Sequence, residues 1–514
     1  MTRWWIRGLA VLASAGMYCL AFPPWNLSLL AWVALVPLLL ALRGLAGARA
    51  AGWGFVWGTA VLSGIGYWVP GALAYYWQQP YWFGFLFALG VAVVFMGQYF
   101  AVFGLACARV ESQWGGWSRP WLIAALYVSC ELARAKLLTG HPWLLLGYAL
   151  VPHVACIQIA ELGGVYLLSF ALALTSAFVA ESIASDGSPT TRARPLLAAV
   201  LVAASVWTYG RVRLSLLLPS EPSVPVMVVQ GDIDLGSAWQ GQFYYRGLEE
   251  YLQLTANGAP GTHPRLVVWP EAAVTFFLEK EDMYRSAIAR VLKSRDADLI
   301  LGGPHAVESG ETPRFFNSAF YLTPDGRIES RYDKVHLLPF AEYFPLRTIQ
   351  FLRRRFEHVR YFTAAEEPAL LHTRFGDVAT LICFEAIFPE VVRQQTAAGA
   401  SLMVNLSNDG WFGPTAGPDQ HLMMVALRAV ESRLWIVRAT TTGVSAIIDP
   451  YGRITTRTSP FEPATMDGRV VPMQVTTPYE RFGDVFAVFC VAVALAAVVG
   501  RAKFGRRSGA APPR

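Results

Sequence analysis

Hydrophobic positions fall into two regimes. Up to about residue 213, long unbroken apolar runs alternate with short polar breaks, whereas from Pro225 to about residue 476 the apolar runs shorten to four to eight residues between turn signals and helical periods. Runs near Trp5–Phe22, Leu27–Leu42, Ala51–Pro70, Tyr81–Ala108, Trp121–Leu138, Ile159–Ala180, Leu196–Tyr209 and Val485–Gly500 approach the roughly 20 residues that cross a hydrocarbon core, which gives eight expected spans. Backbone groups in lipid must pair within their own segment, so these are expected to be helices. The fourth is long enough to kink. His141–Leu150 is too short to span and reads as an interfacial helix.

The second regime predicts strands at Val226–Gln230, Leu266–Trp269, Leu299–Gly303, Phe316–Leu322, Val378–Cys383, Leu402–Leu406, Ile436–Ala439 and Val444–Asp449. Helical stretches lie near Gln240–Thr255, Asp282–Ser294, Phe388–Ala398 and Gln420–Ser432. Pro324-Asp325-Gly326 and Pro450-Tyr451-Gly452 are turns between strands. The alternation is that of one α/β domain with sheets covered by helices. The expected organisation is a membrane domain over 1–213, an extracytoplasmic domain over 220–476, and a last span with a tail over 485–514.

Composition agrees with a membrane protein. Of 514 residues, 54% are hydrophobic and 15% charged, against roughly 25% charged in a soluble domain. The formal charge of +6 calls for no nucleic-acid partner, because much of it marks helix ends. Arg3, Arg7, Arg43, Arg49, Arg109, Arg119, Arg192, Arg194 and the tail Arg501, Lys503, Arg506 and Arg507 fall on one side of an eight-span chain. The opposite short loops at Pro23–Asn26 and Pro70–Pro80 hold no Lys or Arg, so both termini are expected in the cytoplasm. Arg134, Lys136, Arg211 and Arg213 depart from this count and are expected to snorkel to headgroups. The first span lacks a small-residue cleavage site and reads as retained.

Cysteine placement narrows the chemistry. Cys19, Cys107, Cys130, Cys156 and Cys490 lie in or beside apolar runs, and Cys383 alone falls in the polar region. It has neither a disulfide partner there nor zinc-like Cys/His spacing. Two readings stand: a small core hydrophobe at a strand end, or a nucleophile. Glu271 in VVWPEAAV is a general base raised by desolvation, or a glutamate at a helix N-terminus. Lys334 in RYDKVHLLPFAEYFP stabilises an oxyanion, or forms a surface pair with Asp333. Glu342 lies in the same segment.

Together WPE at Trp269–Glu271, the Lys334 segment, CFE at Cys383–Glu385 and NLSNDGWFG at Asn405–Gly413 resemble the nitrilase superfamily over about Val224–Val475. The resemblance implies a Glu-Lys-Cys triad on a four-layer αββα sandwich. With seven spans before that domain and one after it, the chain resembles the apolipoprotein N-acyltransferase family of Gram-negative bacteria. The resemblance implies transfer of an acyl chain from a phospholipid, phosphatidylethanolamine as the expected donor, through a Cys383 thioester to the α-amino group of a diacylglyceryl-cysteine apolipoprotein. Glu271, Lys334 and Cys383 are the implied catalytic residues. Glu342 supports the lysine, the Phe384 amide joins the oxyanion site, Glu385 orients the loop behind the nucleophile, Asn317 is a polar contact and Trp239 lies on a lid. Phe384 replaces the tyrosine usual at that position, at little cost because its contact is a backbone group. No metal or cofactor is implied, His336 and His421 read as structural, and a monomer in the inner membrane with a periplasmic site is expected.

Acyl chains cost about 0.8 kcal/mol per CH₂ to bring into water, so the site is expected to open toward the bilayer. Trp411-Phe412, Tyr343-Phe344 and the basic run Arg353–Tyr361 are candidate headgroup loops. Two other classes compete: a membrane-tethered amidase, which releases the acyl group to water, and a dead scaffold, which lacks a triad member.

Overall fold

The computed structural model describes residues 4–185, 187–216, 221–233, 244–258, 265–308, 313–345, 350–355 and 361–500. The chain divides into two compact units. One comprises Met1–Pro70, Phe85–Ser215 and Phe482–Arg514, and the other comprises Gly71–Gly84 and Leu216–Arg481.

The first unit is helical. All eight apolar runs carry helix: Trp4–Leu20, Ser28–Trp32 with Val36–Leu42, Gly47–Ile65, Tyr81–Gln113 from Phe85 onward, Ser118–Lys136, Ala160–Ala184, Pro189–Ser215 and Val485–Val499. Among the described residues, Tyr81–Gln113, Ala160–Ala184 and Pro189–Ser215 are long and apolar enough to cross a membrane. Trp4–Leu20, Ser28–Leu42 and Val485–Val499 are shorter apolar helices. The expected irregularity in the fourth run is a π turn at Val93–Gly97.

Two expectations are corrected in this unit. His141–Leu150 is not an interfacial helix but irregular chain ending in a 3₁₀ turn, Leu146–Leu150, with Leu144 to Leu150 buried. Its backbone groups are met by buried side chains. Glu131 accepts from Leu146 N at 2.8 Å, Tyr18 donates to Leu144 O at 2.9 Å, and Arg134 donates to Trp143 O at 3.1 Å. Non-helical backbone in an apolar setting needs such internal partners. Arg134 therefore does not snorkel, being fully buried, and Arg213 is held by Glu161 at 2.9 Å.

The second unit is built on two six-stranded sheets. Strands in chain order are β1 (Val224–Gln230), β2 (Leu266–Val268), β3 (Asp298–Val307), β4 (Arg314–Leu322), β5 (Ile328–Asp333), β6 (Leu371–Thr373), β7 (Gly376–Ile382), β8 (Leu402–Ser407), β9 (Ile436–Thr440), β10 (Ala446–Ile448), β11 (Ile454–Arg457) and β12 (Ala464–Val470). Their spatial orders are β12-β1-β2-β3-β4-β5 and β11-β10-β9-β8-β7-β6. Each sheet has three parallel strands at its centre, β1-β2-β3 and β7-β8-β9, with antiparallel strands outside.

The central strands read as continuous apolar runs because both faces are covered. Helices Tyr244–Ala256 and Asp282–Arg295 pack Leu248, Tyr251, Ile288 and Leu292 against Met227, Val267, Leu299 and Phe320. Across the sheets, Gln230 Oε1 accepts from Ser445 and Thr458 hydroxyls, each at 2.8 Å. This is the αββα sandwich. β5, β6, β11 and β12 are absent from the expected strands. Ile454–Arg457 is exposed throughout and Leu371–Thr373 is short, so neither carries an apolar signal.

Candidate active site

β2 and β3 are parallel, and the chain reverses twice through β4 and β5, so β2 and β5 run in the same direction. Glu271 follows β2 and Lys334 follows β5, at the same edge of the first sheet. In the second sheet β7, β8 and β9 are parallel, and Cys383 and Asn408 follow β7 and β8. Carboxyl ends of such strands are where α/β sheets present ligand-binding loops.

The turn carrying Glu271 is fixed against β3. Trp269 N donates to Ile300 O at 2.9 Å, Gly302 N to Pro270 O at 3.1 Å and Val274 N to Gly302 O at 3.2 Å. A β-carbon on Gly302 would lie 2.6 Å from Glu271 Cα and 2.7 Å from Pro270 O, so only glycine admits this close approach. No helix begins at Glu271, which removes the helix-terminus reading. Lys334 is anchored by its own N–H to Asn317 O at 2.9 Å.

Cys383 opens a 3₁₀ turn, Cys383–Ile387, with φ of 52°. That left-handed conformation costs a non-glycine residue about 1–3 kcal/mol, and Glu385 is placed to hold it. Glu385, fully buried, accepts from Ile382 N at 2.8 Å through Oε2. Its Oε1 accepts from Tyr332 Oη at 2.8 Å, Val335 N at 2.8 Å and His336 N at 3.1 Å. One carboxylate thus ties the Cys383 turn to the chain following Lys334. Burial raises its pKa to about 7.

The polar side chains form one network. Lys334 Nζ donates to Glu342 Oε1 at 2.9 Å and Oε2 at 2.8 Å, and lies 3.9 Å from Glu271 Oε1. Asn317 Nδ2 donates to Glu271 Oε1 at 2.8 Å and to Glu342 Oε1 at 2.7 Å. Asn408 N donates to Glu271 Oε2 at 2.7 Å and Leu338 N to Glu342 Oε2 at 2.7 Å. Lys334 is buried and bonded to Glu342, so it is no surface pair with Asp333, which instead accepts from Ser318 and Arg331.

Electrostatics follow from burial. Desolvation raises Glu271, partly opposed by Lys334. Desolvation also raises the Cys383 thiol, with the Glu271 charge adding to it and Lys334 opposing. For Lys334 burial favours the neutral amine, yet the charges of Glu342 and Glu271 outweigh it and hold the ammonium firmly. The resting group is therefore a thiol beside the desolvated carboxyl group of Glu271 and a fixed cation. That arrangement suits proton removal by Glu271 coupled to attack on a carbonyl.

Glu271, Lys334, Cys383, Asn317 and Glu342 line one cavity of about 140 Å³. Its other walls include Tyr76, Trp77, Phe362 and Trp411. The Trp77 and Trp411 rings are nearly perpendicular, with centroids 6.4 Å apart. Tyr76 and Trp77, from the segment Gly71–Gly84 of the same unit, escaped sequence reasoning; the only signal was aromatic density in a loop before a span. Trp239 lies outside the described residues, as does most of 356–361. Phe344 and Phe412 are buried, which corrects their reading as headgroup contacts. Phe384 packs edge-on against Phe388 at 5.1 Å, and the His336 ring lies 3.7 Å from that of Phe388.

Residues 227–477 match the carbon-nitrogen hydrolase family, and residues 14–178 match the apolipoprotein N-acyltransferase N-terminal domain. An apolipoprotein N-acyltransferase of Geobacter metallireducens is 36% identical, over 97% of this chain and 96% of that one. The Azotobacter vinelandii protein of the same name is 34% identical, over 93% of this chain and 92% of its own. Among solved structures, an amidase from Nesterenkonia sp. AN1 is 19% identical with a TM-score of 0.38, covering 50% of this chain and 94% of the amidase. With both halves matched and more than a third of positions shared over nearly the whole length, the chain belongs to the apolipoprotein N-acyltransferase family of acyltransferase enzymes.

Proposed function

We propose that this chain moves an acyl group from a membrane phospholipid to the α-amino group of the diacylglyceryl-cysteine that begins an apolipoprotein. Phosphatidylethanolamine is the expected donor, and Cys383 carries the acyl group between them. In the first half, Glu271 takes the thiol proton and Cys383 Sγ attacks the ester carbonyl. The Lys334 ammonium and the Phe384 amide hold the oxyanion. The ester C–O bond then breaks, the proton on Glu271 passes to the leaving alkoxide, and a lysophospholipid departs from a thioester. In the second half the acceptor amine attacks that thioester and Glu271 takes an amine proton. The C–S bond breaks, and the proton returns to the thiolate. No oxidant or cofactor enters the balance.

The observation that carries this reading is the shared cavity, in which the desolvated carboxylate of Glu271, the Lys334 ammonium and the Cys383 thiol meet. Glu342 and Asn317 hold the lysine and the base, and Glu385 supports the turn of the nucleophile. Trp239 belongs to a lid in the same proposal. We further assign seven spans before the α/β unit and one after it, both termini to the cytoplasm, the unit to the periplasm, and a monomer as the working state. The domain bounds are 1–213, 220–476 and 485–514. The distribution of Arg and Lys supports that orientation.

The test is intact mass after incubating the purified protein and Cys383→Ala with phosphatidylethanolamine bilayers and no acceptor. A single acyl adduct on the wild type, missing from Cys383→Ala and discharged by a diacylglyceryl-cysteine peptide, is expected. Release of free fatty acid with no adduct would replace transfer by hydrolysis.

A further inference from the structure

The two oxygens of Glu271 are held differently. Oε1 accepts from the Asn317 side chain at 2.8 Å, whereas Oε2 accepts the main-chain N–H of Asn408 at 2.7 Å. Asn408 also lines the cavity with Cys383. A main-chain donor is only as well placed as the loop that carries it, and this loop, which follows β8, is pinned from two sides. Asn408 Oδ1 accepts from Thr441 Oγ1 at 2.7 Å and from Gly410 N at 3.1 Å, and Thr441 N donates to Ser407 O at 3.1 Å. The next residue, Asp409, is fully buried. Its Oδ1 accepts from Ser407 Oγ at 2.7 Å and lies 3.1 Å from His421 Nδ1, and its Oδ2 accepts from Arg438 Nη2 at 2.5 Å. Arg438, fully buried as well, pairs with Asn405 in the β8–β9 ladder. It donates to Asn405 Oδ1 and, through Nε, to Val444 O at 3.2 Å. A β-carbon on Gly443 would lie 2.6 Å from Asp409 Cβ, so the chain closes directly over the aspartate.

A buried ion pair costs more desolvation than apolar groups of the same volume, and by itself is weak evidence for stability. What this one supplies is fixed geometry, because each charge carries further hydrogen bonds and neither can move without breaking several. Burial opposes the Asp409 charge, but Arg438 and His421 hold its carboxyl down to about 2, so the pair stays charged through neutral pH. The transfer steps use neither group, and neither side chain lines the cavity. Their route to the chemistry is the amide of Asn408.

We propose that Asp409, braced by Arg438, is a positioning residue for the base: it fixes the Asn408 N–H on Glu271 Oε2 and so holds the carboxylate in one orientation while it takes and returns a proton. The proposal rests on Glu271 being that base. Charged and titratable groups around Glu271 are Lys334 after β5, Glu342 in the same segment and Cys383 after β7. Around Asp409 they are Arg438 on β9, His421 on helix Gly417–Ser432 and again Cys383. Positioning has a sign of its own. Asp409→Asn removes a negative charge and leaves the Arg438 cation unpaired, which by charge alone favours ionised Glu271 and moves the acid limb of the rate to lower pH. Loss of the Asn408 bond disfavours ionised Glu271 and moves that limb to higher pH. Asp409 and Arg438 do not touch Glu271, so the direct bond at 2.7 Å is expected to win.

Single-turnover acylation of the full-length protein by phosphatidylethanolamine bilayers, read by mass over a series of pH and lipid concentration, tests this directly. Asp409→Asn is expected to lower the maximal rate by about tenfold or more, the worth of a hydrogen bond to a charged acceptor. The half-saturating lipid concentration should not change, and the acid limb should move to higher pH. Arg438→Lys keeps the charge but loses the fork that reaches Asp409, Asn405 and Val444 together. It should move the limb the same way, with a fall of about threefold or more. An acid limb that stays or moves to lower pH, or a loss confined to half-saturation, overturns the proposal. If Asp409→Asn does not melt cooperatively, Arg438→Lys decides, and if that fails too, Thr441→Val, which removes only the donor to Asn408 Oδ1; an unmoved limb in the deciding variant is fatal. Wild-type thioester formation by Glu271→Gln would remove the base itself, an outcome distinct from failure of Asp409 alone.

Discussion

Asn317 is the residue that ties Glu271, the proposed base, to Glu342, the partner of Lys334. Its single amide group donates to Glu271 Oε1 at 2.8 Å and to Glu342 Oε1 at 2.7 Å, with the side chain buried. Asn317→Ala removes both donors and leaves two carboxylates in a pocket where Lys334 is the nearest cation. A hydrogen bond to a charged acceptor is worth about 1.5–3 kcal/mol, and a factor of ten in rate corresponds to about 1.4 kcal/mol. Losing the bond to Glu271 alone should therefore slow thioester formation by about 10- to 100-fold near neutral pH. The direction with pH is fixed as well. Burial raises Glu271 and the Asn317 bond lowers it, so removing the bond raises Glu271 further. Glu271 must be ionised to take the thiol proton, so the acid limb of the rate profile moves to higher pH, as a property of the coupled site. The assay is single-turnover acylation by phospholipid, quenched and read by mass over a pH series. A loss below threefold with an unmoved acid limb would refute the placement of Glu271 as base.

Glu385→Gln keeps the shape but not the acceptors. Its amide must face either Ile382 N or the three donors on the other oxygen, so thioester formation should fall by about tenfold or more. Glu385 also has a raised pKa, about 7 against 4.5. Its contribution to stability is fully present below pH 4.5 and is lost as pH rises through about 7, a term of about 3 kcal/mol. Thermal melting should show the wild type losing more stability than Glu385→Gln between those values, and parallel curves would count against it. Gly302→Ala places a carbon 2.6 Å from Glu271 Cα. Backbone must shift to relieve it, so melting should drop and acylation should fall more than tenfold; wild-type acylation would contradict the close approach.

Much of the site is legible in the sequence because its chemistry sits at strand ends. Val267–Trp269 and Val378–Ile382 are apolar runs that stop at Glu271 and Cys383, and such a stop is visible without coordinates. The segment around Lys334 is too rich in apolar residues for an exposed loop, and Lys334 is indeed buried. Other features belong to distances between remote segments. Nothing local to Tyr76 and Trp77 announces that they line a cavity with Cys383.

The sequence by itself determined the two regimes, the helical runs and the α/β alternation, since hydrophobic period and turn chemistry act over a few residues, whereas the three residues expected to react stood out through the family resemblance. Tertiary structure alone decided that Arg134 is buried under an irregular segment, that Glu385 joins two loops, and that Asn317 bridges Glu271 and Glu342. A buried charge reads in sequence like any surface charge. Only the partner brought to it by the fold, at hydrogen-bonding distance and away from water, makes it stable there and gives it a role.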